Sequence, residues 1–263
     1  MRFFTAILFF CLFGQAAWAD EALVRIPSRP GVSVPVLLLT PSSAATQPTA
    51  VVLFVGSSGN AGLENYVPGY RNQNFLFRSA DLFAAKGLLT AVVDVPSDRG
   101  DLWNFRASAD HATDIAAVIA ALRARGAGAV WLVGTSMGSV SAAHVAARLR
   151  QGGPDGVVLT SSVALSSKKS IETVLTADLE AITVPVLVVG HRGDACKFSS
   201  PSEISSILRQ LSHAPVKAEM LMEGGDPPRS EACEPLAAHG YIGVEEATVS
   251  VIAAWIRNPK SVP

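Results

Sequence analysis

The chain has 263 residues, 49% of them hydrophobic and 16% charged, with a formal net charge of −1. This balance excludes a disordered chain, whose hydrophobicity is low and net charge high. It also provides no basic field to draw the protein onto nucleic acid or anionic lipid. Three cysteines are too few for a disulfide-built scaffold, and the length suffices for one large core.

In chain order, Met1–Ala19 has the pattern of a secretory signal. Arg2 supplies the positive start, Phe3–Phe13 is apolar except for Thr5, and Ala17-Trp18-Ala19 places small residues before Asp20 and Glu21. The apolar run is shorter than the ~20 residues of a membrane span, and no other stretch is long and apolar enough to cross a bilayer. The expected organisation is a signal peptide over 1–19 and one domain over 20–263, exported to the periplasm or the medium. Cleavage would remove Cys11 and leave Cys196 and Cys233, an even pair that predicts one disulfide in an exported chain.

Ala22–Ile26 and Val32–Leu39 read as two strands of a hairpin around Pro-Ser-Arg-Pro-Gly. Ala50–Val55 is a continuous apolar run, the mark of a strand buried on both faces, followed by the Gly/Ser/Asn loop Gly56–Gly62. Strands and helices then alternate. The predicted helices are Phe75–Lys86, Ser108–Arg125, Ser136–Arg150, Ser170–Ile182, Ser202–Leu211 and Val244–Arg257. The predicted strands are Leu88–Val95, Ala129–Val133, Gly156–Thr160, Val184–Val189 and Val216–Met222. Eight strands in this alternation make an α/β fold: a mostly parallel sheet with helices on both faces, the first two strands antiparallel.

Gly134-Thr135-Ser136-Met137-Gly138 matches the pattern G-x-S-x-G. The five residues follow an apolar strand and open an Ala-rich helix, which is the strand–turn–helix that exposes a nucleophilic serine in a strained turn. A free serine hydroxyl is a poor nucleophile and needs a neutral imidazole to take its proton. That imidazole needs a carboxylate to fix its tautomer and stabilise its cation. Open α/β sheets gather such groups beyond the carboxyl ends of their strands. Asp194 lies in the loop after Val184–Val189, and His239 lies between the last strand and the last helix. The order Ser136, Asp194, His239 is that of α/β hydrolases. Asp178, Asp226 and Glu234 are weaker candidates for the acid, and His191, also at a strand end, is the rival base. His111, His144 and His213 lie on or beside helices and suit packing or surface roles. Two N–H donors are needed for an oxyanion: one is expected from Met137, the other from Ser57 or Ser58.

On these motifs the chain resembles the α/β-hydrolase superfamily, as a secreted bacterial serine hydrolase of esterase type without a cap domain. A cysteine or an aspartate at the elbow would mark other branches of that superfamily, and Ser136 argues against both. The resemblance covers nearly all of residues 20–263. It implies cleavage of carboxylic esters through an acyl-enzyme on Ser136, with His239 as general base and Asp194 as orienting acid. It implies no cofactor and no metal, and a small-molecule or polymer-end ester as substrate. Acyltransferase, lactonase or peptidase chemistry would use the same triad, and a non-catalytic binding protein on this scaffold is the alternative from another class.

A disulfide between Cys196 and Cys233 would tie the acid loop to the histidine loop. The loop after Leu88–Val95 carries Asp98, Arg99, Trp103 and Arg106, candidates for a mixed aromatic and cationic substrate wall. Only Ser161–Leu179 separates one strand from the approach to the next, which leaves no room for a cap and predicts a shallow, accessible cleft.

Overall fold

The computed structural model describes residues 20–42 and 47–260. The expected signal segment, with Cys11, lies outside the described residues. Eight strands form one sheet: β1 (Asp20–Pro27), β2 (Ser33–Thr40), β3 (Thr49–Phe54), β4 (Leu89–Val93), β5 (Ala129–Thr135), β6 (Gly156–Thr160), β7 (Val186–His191) and β8 (Lys217–Met222). Their spatial order is β1-β2-β4-β3-β5-β6-β7-β8. β1 pairs antiparallel with β2, β2 antiparallel with β4, and every later pairing is parallel. Only β2 therefore runs against the rest.

The central strands are buried along almost their whole length and are mostly apolar, because both sheet faces are covered. Along β3, Ala50, Val52 and Phe54 face one core and Val51 and Leu53 the other. The first core is closed by α3 (Ala109–Ala124), α4 (Met137–Arg148) and α5 (Ile204–Gln210), the second by α1 (Phe75–Arg78), α2 (Ala80–Ala85) and α6 (Glu245–Arg257). On α3, the predicted stripe of Ile115, Val118, Ile119 and Leu122 is buried. Ser108 caps that helix by accepting the His111 N–H at 3.0 Å.

Three predicted elements come out differently. Phe75–Lys86 is two short helices joined at Ser79, whose ψ of 4° leaves helical geometry. Phe75, Leu76 and Phe77 are all buried, and three consecutive residues cannot share one helical face. The turn at Ser79 re-aims the chain so that Ala80, Phe83 and Ala84 are buried as well. Ser170–Ile182 is no α-helix but two 3₁₀ turns, Val174–Thr176 and Leu179–Ala181. There the Thr173 and Thr176 hydroxyls accept one another's backbone N–H groups at 3.1 and 3.0 Å, a local alternative to helical bonding. β7 runs two residues past Val189, pairing Gly190 with Leu221 and His191 with Met222.

Winding starts outward from β3 to β4, then reverses to β5. Ligands in open α/β sheets sit at such a reversal, beyond the carboxyl ends of the strands. Gly56 and Ser57, just past β3, and Ser136, just past β5, border one cavity there.

Candidate active site

Ser136 occupies the turn between β5 and α4 with φ 51° and ψ −126°. Such a conformation in a non-glycine residue costs on the order of 1–3 kcal/mol and persists only where its surroundings hold it. Here the Ser136 N–H donates to Thr160 O at 3.0 Å, and its carbonyl accepts from the Ser139 N–H at 2.9 Å and Ser139 Oγ at 2.6 Å. The two elbow glycines are steric requirements. A Cβ on Gly134 would lie 2.2 Å from Gly138 O, and one on Gly138 would lie 2.1 Å from Phe54 O. Met137 is the first residue of α4, where the N–H has no acceptor within the helix.

Asp194 and His239 are both buried and meet directly: His239 Nδ1 lies 2.9 Å from Asp194 Oδ2. The carboxylate is held on its other side by the Cys196 N–H, which donates to Oδ1 at 2.9 Å. Ser199 Oγ donates to Oδ2 at 3.1 Å and lies 3.0 Å from His239 Nδ1. The His239 turn is anchored to the sheet. Ser161 Oγ donates to the His239 carbonyl at 2.8 Å, while Tyr241 Oη donates to Val189 O at 2.9 Å and accepts the Ser161 N–H at 3.1 Å. Full burial pushes the Tyr241 hydroxyl pKa up, so it stays a neutral strut. With Nδ1 committed to Asp194, His239 Nε2 is buried without a hydrogen-bond partner among the described residues. His239 and Ser136 line the same cavity, of about 490 Å³, in the range of small-molecule sites.

The rival base is differently engaged. His191 Nδ1 accepts the Gly193 N–H at 3.0 Å, so Nε2 carries the proton and donates to Gly224 O at 3.0 Å. Both nitrogens are therefore engaged, one within the loop after β7 and the other to the loop after β8. Asp178 lies on a separate surface depression beside Leu179 and Arg209. Asp226 and Glu234 make no hydrogen bond to His239 among the described residues. His111 and His144 are packed against neighbours, and His213 is exposed beside Glu180.

Of the two candidate second oxyanion donors, Ser57 borders the cavity and Ser58 does not. Ser57 has φ 54°, and its carbonyl is held by Arg106 Nη2 at 2.8 Å, while Arg106 Nη1 donates to Leu102 O at 2.9 Å. Arg106 was expected on a substrate wall; it is instead 1% exposed and braces the loop from behind. Burial lowers its pKa to about 10. Asp98 and Arg99 also stay clear of the cavity. Asp98 pairs with Arg29 at 3.0 Å, and the Arg99 guanidinium stacks 4.1 Å from the centre of the Phe105 ring. Trp103 alone of the four lines the cavity, facing Phe75, Val163, Leu165 and Phe198. Cys196 and Cys233 are joined by a disulfide with a Cα–Cα distance of 4.6 Å, and both sulfur-bearing residues form part of the cavity wall. Sequence reasoning passed over Ser199, and over Lys168, Lys169 and Lys197 at the cavity mouth. The lysines follow strand ends, the position that the carboxyl-edge rule singles out; Ser199 carries no comparable signal.

Among the described residues no cluster of three or more His, Cys, Asp or Glu side chains could hold a metal ion, and no helix is long and apolar enough to cross a membrane. No protein-family model matches the chain, and no curated protein matches it in sequence. Solved structures do. A lidless α/β serine hydrolase of Xanthomonas campestris superposes with a TM-score of 0.59 at 15% identity, covering 93% of this chain and 97% of its own. Est1E of Butyrivibrio proteoclasticus gives 0.63 at 13%, covering 89% and 97%. An esterase of Pyrococcus furiosus gives 0.63 at 11%, covering 91% of each. Likeness at such identities extends to the fold, and the fold of this chain is the α/β-hydrolase fold.

Proposed function

We propose that the protein is a serine hydrolase that cleaves carboxylic esters. One observation carries the reading: His239, its Nδ1 bound to the buried Asp194 and its Nε2 without a partner, shares a cavity with a serine held in the strained elbow. In the proposed reaction His239 Nε2 takes the proton from Ser136 Oγ as the oxygen attacks the ester carbonyl carbon. The N–H groups of Met137 and Ser57 receive the developing oxyanion. The imidazolium, steadied by Asp194, then protonates the departing alkoxide oxygen. Water attacks the acyl-enzyme with His239 again as base, releasing the acid and restoring Ser136 Oγ–H.

A serine-directed fluorophosphonate tests the nucleophile. Native protein should label once, at Ser136, and Ser136→Ala should not label. Equal labelling of the variant, or none of the native protein, overturns the reading. A panel of p-nitrophenyl esters, anilides and lactones tests the bond, with the esters expected to turn over fastest. The proposal extends to export, because a disulfide beside the acid persists in an oxidising compartment. The processed protein should then begin at Asp20, which N-terminal sequencing reads directly.

A further inference from the structure

The mouth of the cavity is cationic, on a protein whose overall charge is −1. Lys168, Lys169 and Lys197 all line it, are exposed, and make no ion pair among the described residues. Two of the ammonium groups sit above apolar walls of the same cavity, Lys169 Nζ 5.6 Å from the centre of the Trp103 ring and Lys197 Nζ 5.0 Å from that of Phe198. Their loops are built and tied to each other. Asn104 Nδ2 donates to Lys169 O at 3.2 Å and Asn104 Oδ1 accepts the Ile171 N–H at 3.3 Å, seating the lysine loop on the Trp103 loop. The Ala164 N–H donates to Phe198 O at 2.8 Å, joining the stem of that loop to the segment bearing Lys197.

Two carboxylates also border the cavity. Glu172 is buried and occupied, accepting the Ala107 N–H at 2.9 Å. Glu234 is exposed on the side of Cys233 and, among the described residues that border the cavity, is the one exposed acidic group opposing the three lysines. The balance at the mouth is therefore positive, over an interior lined by Phe75, Trp103, Val163 and Phe198.

From this arrangement, which rests on the serine-hydrolase reading for its reactive centre, we infer that the preferred substrates are esters carrying an anionic group. The apolar body would lie against Trp103 and Phe198, and the anion, on the acyl or the alcohol side, would reach Lys168, Lys169 and Lys197. Opposite charges at a cavity mouth raise encounter rate and selectivity more than raw affinity, and salt screens them over a Debye length of about 8 Å at physiological ionic strength.

Three p-nitrophenyl or aryl esters of matched size test this: a neutral butyrate, a glutarate half-ester with the carboxylate on the acyl side, and a butyrate of 4-hydroxybenzoate with it on the alcohol side. At least one anionic ester should exceed the neutral one in kcat/KM by about tenfold, and which one does so assigns the side. The ratio should collapse toward one in 1 M salt and in the Lys168→Gln/Lys169→Gln/Lys197→Gln triple variant, and should rise in Glu234→Gln. A ratio near one in native protein at low salt overturns the inference. Binding is read without turnover by titrating Ser136→Ala with glutaric acid monoanilide against butyranilide. Tighter binding of the acid by Ser136→Ala, with none of the three esters hydrolysed by the native protein, would sink the esterase reading and leave the anion site standing. Equal binding of the two would sink the anion site alone.

Discussion

Asp194 Oδ2 takes two donors at once, His239 Nδ1 and Ser199 Oγ. A hydrogen bond to a charged group is worth roughly 1.5–3 kcal/mol, so Ser199→Ala frees the carboxylate to rotate away from the imidazole. We expect kcat to fall about tenfold, KM to stay within about twofold, and the thermal midpoint to move by only a few degrees. A rise in KM with kcat intact would show Ser199 to act on substrate instead. The meeting of Asp194 with His239 was legible because each follows a strand, in the chain order expected after the elbow. Ser199 was not legible, because its role arises from the curl of the loop that returns it to Asp194. Arg106 misled for a related reason: arginines are mostly exposed, and only the packed structure shows this one braced behind Ser57. His111 gives the residue scale its proton linkage. Burial, reinforced by the charge of Arg106, lowers its pKa to about 3 from the ordinary 6.5. Below pH 6.5 the unfolded chain therefore takes up a proton that the native state refuses. Stability should fall as pH falls from about 6.5 to about 3, by up to about 1.4 kcal/mol per pH unit. Urea unfolding between pH 7 and pH 4.5 should show this slope lessened in His111→Phe, which fills the same place between Phe54 and Phe105.

Element by element, the central strands were easiest to read because burial on both faces leaves a nearly continuous apolar run. The helices with a clean stripe, α3 and α6, kept their predicted extents to within about a residue at each end. The segment after β6 failed because its threonines bond locally and its apolar residues anchor a strap rather than a helical face. The loops after β7 and β8 are joined by a covalent link as well as by packing. Cys196 both carries the disulfide and gives its N–H to Asp194, so the bond to Cys233 fixes the acid through the backbone. The sequence separation of 37 residues places the stabilisation at about 3–4 kcal/mol in the chain-entropy picture. Reduction, or Cys196→Ser/Cys233→Ser, should lower the urea midpoint accordingly. It should also cut ester hydrolysis by an order of magnitude or more at denaturant levels where far-UV circular dichroism is still native. Full activity in a protein with two titratable thiols would show that the loops hold Asp194 without the bond.

At the scale of the whole molecule, the reversed direction of β2 brings the β1–β2 turn to the same edge of the sheet as the proposed site. Arg29 in that turn links three parts of the edge. It grips Asp114 on α3 through Nε and Nη2 at 2.8 and 3.0 Å, and it holds Asp98, in the loop after β4, through Nη1 and Nη2 at 3.0 Å. These hydrogen bonds, to Asp114 first, hold the Arg29 guanidinium above its ordinary pKa. They do the same in the opposite sense for the Asp98 carboxyl, which Arg29 lowers. The two acids differ in burial: the Asp114 side chain is 1% exposed and that of Asp98 39%. Removing the partner of a buried charge costs about 3–5 kcal/mol, whereas an exposed pair contributes about 1 kcal/mol or less. Arg29→Ala should therefore lower the unfolding free energy by about 3–5 kcal/mol, with Ser28 Oγ left as the chief side-chain partner of Asp114. Asp98→Asn should lower it by less than about 1 kcal/mol. Equal effects in urea titrations at neutral pH would mean that the clamp works through the Asp98 loop rather than through the buried end of α3. The loop that carries Trp103 to the cavity, and Arg106 behind Ser57, would then be the part of the molecule most dependent on the hairpin.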